Sequence, residues 1–196
     1  MKKNAGFSLI ELVVVIIVLG ILAATALPRF MNITDQAKQS AIEGMTGGFA
    51  TAVISARAQW EAYGRPVDSG NNNTVDYDGT EFKLTQEDTT LNIRPGYPFA
   101  LNTSVTTDVV DITAADCLDL LQELMQNPPL ATTSRDALAS GKDLYFVTVE
   151  GTSAAKQCRY YQLASASKNS SGEVKPLAGH SFTYQPAVGR VEVDLK

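Results

Sequence analysis

One stretch constrains this chain more than any other: an almost wholly apolar run from Leu12 to Leu27, entered through Phe7-Ser8-Leu9-Ile10-Glu11. From Phe7 to Leu27 is about 21 residues, enough for a helix to cross a hydrocarbon core roughly 30 Å thick. Lys2 and Lys3 lie just before it. The positive-inside rule keeps such residues cytoplasmic, which would send the C-terminal part across the membrane. The run holds no Lys, Arg or His, yet Glu11 stands near its start. A carboxylate at a helix centre in a bilayer costs about 2.5–3.5 kcal/mol on insertion scales, so an intramembrane acid is a functional candidate by default.

Three readings of this segment compete. A secretory signal would use Ala24-Thr25-Ala26 as a small-residue cleavage site. Its apolar run is long for that purpose, and the acid at its head is out of place. A plain, unprocessed membrane anchor is the second reading. The third explains the unusual residues as well as the ordinary ones. The run Gly6-Phe7-Ser8-Leu9-Ile10-Glu11-Leu12, behind a short basic leader, resembles the processing site of type IV prepilins and type II secretion pseudopilins.

The resemblance implies a leader of residues 1–6, cut between Gly6 and Phe7 by a prepilin peptidase and followed by N-methylation of Phe7. Glu11 would then be the fifth residue of the mature chain and would pair with the Phe7 amine of a neighbouring subunit. Desolvation offsets much of the gain from such a pair, but removing one partner strands a buried charge at about 3–5 kcal/mol. The pair therefore penalises wrong registers. The bland alternative is a helix-end glutamate that reaches lipid headgroups.

The helix continues past the apolar block. Met45, Phe49, Val53, Ala56, Trp60 and Tyr63 recur every three or four residues, one apolar stripe. Gly64-Arg65-Pro66 ends it. A helix from Phe7 to Tyr63 would be about 85 Å long at 1.5 Å per residue. Residues 7–27 form the transmembrane and filament-core half, and residues 28–63 the amphipathic half. Gly20 and Pro28 are its weak points, since glycine lowers helicity and proline removes an amide donor. The resemblance implies that this stretch loses helical order in assembled filaments. The alternative is a gentle proline kink, satisfied within a bundle.

Residues 64–112 form a connecting region. The polar stretch to about Gly79 reads as a surface loop. Phe82–Leu84, Leu91–Ile93 and Val105–Ile112 read as short strands. Asp76-Tyr77-Asp78-Gly79 resembles part of a calcium loop, but Thr74 and Thr85 fall on its first and last ligand positions. A type I turn with no metal is the favoured reading.

Residues 113–196 read as a short helix followed by strands. Thr113 with Asp116 makes a helix start, and Leu118, Leu121, Leu124 and Met125 give its apolar face before Pro128-Pro129. Asp143–Glu150 and Gln157–Ala164 are strands joined near Gly151. His180–Tyr184 and Arg190–Leu195 form a second pair. In the last strand Val191, Val193 and Leu195 alternate with charged residues, the pattern of a half-buried strand. The fold class is α+β: a long N-terminal helix packed on a C-terminal antiparallel sheet, as in the pilin fold the resemblance implies.

The two cysteines, Cys117 and Cys158, suit a disulfide if the domain meets an oxidising compartment. It would bound segment 117–158 and close a loop of roughly 42 residues, contributing about 4 kcal/mol on chain-entropy grounds. Two unrelated buried thiols are the other reading. The net charge of -5 argues against a general nucleic-acid binder. The lone histidine, His180, reads as a core or surface residue, and no catalytic set, metal site or cofactor motif is present.

Gly48-Phe49-Ala50 through Trp60-Glu61-Ala62-Tyr63-Gly64-Arg65-Pro66, and Gln126-Asn127-Pro128-Pro129, most resemble pilins of the mannose-sensitive haemagglutinin (MSHA) type. The implied role is structural: a subunit of a homo- or hetero-oligomeric pilin filament supporting surface attachment, not an enzyme. Its implied partners are the prepilin peptidase, the inner-membrane pilus assembly machinery, and a surface glycan. The subunit would wait in the inner membrane as a single-pass protein with a periplasmic C-terminus, then become extracellular. A minor pilin or adhesin, and a type II secretion pseudopilin, are the alternatives.

Overall fold

The computed structural model describes residues 8–142 and 144–196. The chain divides into two compact units, residues 1–38 and 39–196. A single helix, α1 (Leu9–Ala62), begins in the first and ends in the second. It contains Pro28 and remains helical through Gly20 and Pro28.

Within the second unit, α1 buries Ile42, Phe49, Ala52, Val53, Ala56 and Trp60. These positions recur at helical spacing, so they share the face turned to the core. The expected stripe holds from Phe49 to Trp60 but shifts at its ends. Ile42 is fully buried, whereas Tyr63 lies past the helix and is 67% exposed. The chain turns there through Gly64 (φ 78°) and Arg65 (φ 61°), and the Arg65 N–H donates to the Trp60 carbonyl at 2.9 Å. A left-handed glycine closing the last turn is a common helix stop.

The helix packs on two sheets. The first has order β1 (Thr74–Tyr77), β2 (Thr80–Leu84), β3 (Pro98–Leu101), all antiparallel. The stretch read as loop up to Gly79 therefore contains β1. Asp78 (φ 53°) and Gly79 (φ 85°) form a two-residue hairpin turn, with Tyr77 paired to Thr80. Positive φ at both central residues makes it type I′ rather than type I, the turn whose twist matches the flanking strands. The strand expected at Leu91–Ile93 is a turn with one isolated bridge, Asp88 to Ile93. The strand expected at Val105–Ile112 is a turn followed by a 3₁₀ helix, Val109–Asp111. Asp108 caps that helix by accepting the Val110 N–H at 3.0 Å.

Helix α2 (Ala114–Leu124) starts where expected. Thr113 and Asp116 form a capping box, each side chain accepting the other's backbone N–H. Its buried face is Asp116, Cys117, Leu120, Leu121 and Leu124. Leu120 replaces the expected Leu118, which is only half-buried.

The second sheet has order β4 (Ala131–Thr132), β5 (Tyr145–Glu150), β6 (Gln157–Gln162), β7 (Ser181–Gln185), β8 (Arg190–Asp194). Pairings from β5 to β8 are antiparallel, while the short β4 runs parallel to β5. Asp143, expected to open β5, lies outside the described residues. His180 lies just before β7 rather than in it. β8 is an edge strand, so only one neighbour covers it. Val193 (41%) and Leu195 (40%) are consequently exposed, against the expected half-buried row.

Phe49 of α1 sits on this sheet, with its ring centroid 5.4–5.6 Å from those of Tyr184, Tyr160 and Phe182. Cys117 and Cys158 are fully buried and joined by a disulfide that ties α2 to β6. The Tyr160 hydroxyl donates to the Cys117 carbonyl at 2.9 Å beside it. The α+β architecture is thus a long helix on antiparallel sheet.

Candidate functional site

The N-terminal part of α1 is the segment whose chemistry its own fold leaves unused. Apolar residues there are exposed, from Leu9 (81%) and Ile10 (69%) to Leu27 (66%) and Phe30 (67%). The helix is long and apolar enough to cross a membrane, and none of its most apolar window is buried. A water-soluble monomer rarely exposes so large a contiguous apolar surface, so the segment is built for lipid or for other chains.

Glu11 occupies the first turn of α1. The Ser8 N–H donates to Glu11 Oε2 at 2.9 Å, and the Glu11 N–H donates to Ser8 Oγ at 3.3 Å. This is a second capping box, and it satisfies two otherwise orphaned amides at the helix start. The positive end of the helix dipole also favours an acid there. Sequence reading took Glu11 as an acid lacking any partner in its own helix. The missed signal was the spacing Ser8-x-x-Glu11 directly before an apolar run. Gly6 and Phe7 lie outside the described residues.

Further along, the Thr25 hydroxyl donates to the carbonyls of Ile21 (3.2 Å) and Leu22 (3.0 Å). Pro28, having no N–H, gives Ala24 no helical donor. A side chain placed on Gly20 would meet nothing within 4 Å, so no contact within the chain requires glycine there.

The head offers no catalytic arrangement among the described residues. No three His, Cys, Asp or Glu side chains gather at metal-binding distance. A cleft of about 500 Å³ is lined by Asp68, Lys83, Asp88, Leu91, Phe99 and Asp108, among others. Three of its charged groups are engaged with backbone. Asp68 accepts the amides of Gly70 and Asn72, Asp88 those of Thr90 and Leu91, and Lys83 Nζ donates to the carbonyls of Ser104 and Thr106. His180 is buried, and its Nδ1 accepts the Lys196 N–H at 2.9 Å.

The prokaryotic N-terminal methylation motif matches residues 1–27. Over 57 residues the chain is 44% identical to the type IV narrow pilus major component PilA5 of Thermus thermophilus, covering 29% of this chain and 49% of that protein. It is 42% identical over 52 residues to the type II secretion system core protein G of Pseudomonas aeruginosa, covering 26% and 37%. It is 38% identical over 61 residues to the type IV major pilin protein PilA of Myxococcus xanthus, covering 31% and 28%. The chain thus spans about half or less of the length of these relatives. No solved structure matches it.

An exposed apolar helix that starts on a capped acid and continues into an α+β head fits the pilin fold. With the methylation motif and these relatives, the N-terminal part of the chain is similar to type IV pilins and prepilins.

Proposed function

We propose that this protein is a structural, non-catalytic subunit of a type IV pilus-like filament. The observation that carries this reading is the exposed apolar start of α1, headed by one acid and carrying the methylation motif. The peptidase cut falls between Gly6 and Phe7, and Phe7 becomes the methylated terminus. The subunit waits in the inner membrane with its head on the periplasmic side, and the assembly machinery then adds it to the filament. There Glu11 faces the Phe7 amine of a neighbour. Burying the apolar helix against other copies contributes about 25 cal/mol per Å² removed from water. Gly20 and Pro28 mark the stretch of helix that yields during assembly. The finer reading, an MSHA-type pilin, rests on the sequence around Gly48–Pro66 and Gln126–Pro129, and contact with a surface glycan belongs to the minor-pilin or adhesin alternative.

The test is Glu11→Val in cells. The variant inserts and is processed, but its yield in sheared filaments falls. Normal yield contradicts the role given to Glu11.

Similarity to a type II secretion core protein supports a second reading, a pseudopilin. Deleting the gene separates the two. Loss of surface filaments with secretion intact supports the pilus, and the reverse supports the pseudopilus.

A further inference from the structure

Most charged side chains of α1 are engaged within their own chain. The Ser8 N–H holds Glu11 at 2.9 Å. Asp35 lies 3.4 Å from Lys38, and Glu61 lies 3.7 Å from Arg57. Arg29 and Glu43 are left over. They carry opposite signs and both are exposed, and neither has a hydrogen bond or ion pair among the described residues. Side chains on one helix meet three or four positions apart. Neither spacing separates Arg29 from Glu43, so they cannot satisfy each other within a chain.

Arg29 stands among exposed apolar residues, with Leu27, Phe30 and Met31 beside it in the sequence. It follows a span of about 21 residues, so before assembly its guanidinium reaches the lipid headgroups. Covering the apolar surface of α1 with other copies takes that guanidinium away from water and headgroups alike. A charge removed from water has to be paired. Glu43 stands where another helix can come close. Gly44 and Gly47 beside it are exposed, and a Cβ on either would meet nothing within 4 Å. Among the described residues, nothing covers α1 at these two glycines.

We propose that Arg29 of one subunit pairs with Glu43 of a second copy in the filament. The pair rests on the filament reading and adds to it a charge contact away from the N-terminus. With parallel helices it offsets the two copies by the separation of these positions along α1. That offset is longer than the one from Phe7 to Glu11, so the two pairs join a subunit to different neighbours. Both positions follow Pro28, so the pair forms whether or not the stretch from Gly20 to Pro28 stays helical. The other acids of α1 are poorer partners. Glu11 serves the terminal amine, and Asp35 and Glu61 have cations of their own chain beside them. The acids of the head lie on other elements, off the helix whose packing builds the filament core.

The test is made in cells that assemble the filaments. Sheared filaments are assayed for wild type, Arg29→Glu, Glu43→Arg and the double variant, against the membrane level of each processed subunit. Stranding one charge predicts that each single variant enters filaments at least about tenfold less than wild type. The double variant restores the pair with its signs exchanged and recovers most of the yield. A single variant at wild-type yield, or a double variant no better than the singles, overturns the pair. Arg29→Lys gives a second readout, because carbodiimide joins a lysine amine to a carboxylate only where the two touch. Mass spectrometry of treated filaments then finds a peptide linking position 29 of one copy to Glu43 of another. Filaments of this variant without that link overturn the pair even where the charge-reversal variants fail to fold. Wild-type protein absent from sheared filaments overturns the filament reading itself, which separates that failure from failure of the pair alone.

Discussion

The ring of Tyr97 fills the space that a side chain on Gly189 would need. A Cβ on Gly189 would lie 2.0 Å from Tyr97 Cε1, and the residue has φ 68°. The same ring also meets Arg57 of α1, whose guanidinium lies 4.5 Å from the Tyr97 ring centroid. The Arg94 N–H adds a bond to the Ala187 carbonyl at 2.7 Å. The helix, the segment before β3 and the β7–β8 turn are thereby locked together. Gly189→Ala combines a left-handed conformation with overpacking, so it destabilises the head by about 2–4 kcal/mol. Chemical denaturation of the full chain in detergent measures this, and an unchanged midpoint contradicts it.

Asp116 is the buried acid of the head, 2% exposed. Burial is the largest single influence on it and raises its pKa. Hydrogen bonds from the hydroxyls of Ser104, Thr113 and Thr106, with the Thr113 N–H, together outweigh burial and leave the pKa below the ordinary carboxylate value. A depressed folded-state pKa stabilises the fold above the unfolded value, about 3.9 for aspartate, and that contribution is lost as pH falls through the lower folded value. Asp116→Asn therefore removes part of the acid sensitivity of unfolding below about pH 4 and lowers stability at neutral pH. Identical pH profiles for the two proteins would speak against this assignment.

Much of this architecture was legible because local physics decided it. Thr113-x-x-Asp116 starts α2 through its own hydrogen bonds, and the Phe49–Trp60 spacing marks a buried helix face whatever the partner is. The apolar run at the N-terminus needs only its length and its lone acid. The misreadings came where long-range pairing decides. β3 lacks alternation because all but its last residue is buried, so Pro98-Phe99-Ala100 carries no strand signal of its own. Val105–Ile112 has strand-forming residues, but among the described residues it joins neither sheet, and Asp108 caps the Val110 amide locally instead. Val193 and Leu195 alternate correctly, yet the alternation does not reveal that β8 is an edge. Two local signals were present and overlooked: Asp78-Gly79 for the hairpin, and Ser8-x-x-Glu11 for the capped helix start.

The disulfide between Cys117 and Cys158 spans 41 positions. Replacing both cysteines with alanine lowers stability by about 4 kcal/mol on chain-entropy grounds. The measurement is the urea midpoint of the variant beside that of the oxidised wild type. Equal midpoints would mean the cross-link constrains little in the unfolded chain.

Phe49 and Ile54 separate packing from surface on one helix. Phe49 is fully buried against three rings, so Phe49→Ala costs about 3–5 kcal/mol. Ile54 is 62% exposed, so Ile54→Ala stays within about 0.5 kcal/mol. Parallel thermal melts of the two variants decide this, and comparable losses would contradict the assigned helix face.

The claim that this chain is a processed filament subunit is tested most directly at its N-terminus. Filaments sheared from cells are purified, and the terminal peptide of this protein is read by mass spectrometry. The account predicts that the protein is present there and begins at methylated Phe7. A chain that begins at Met1 or Leu27, or that is absent from the filaments, contradicts it.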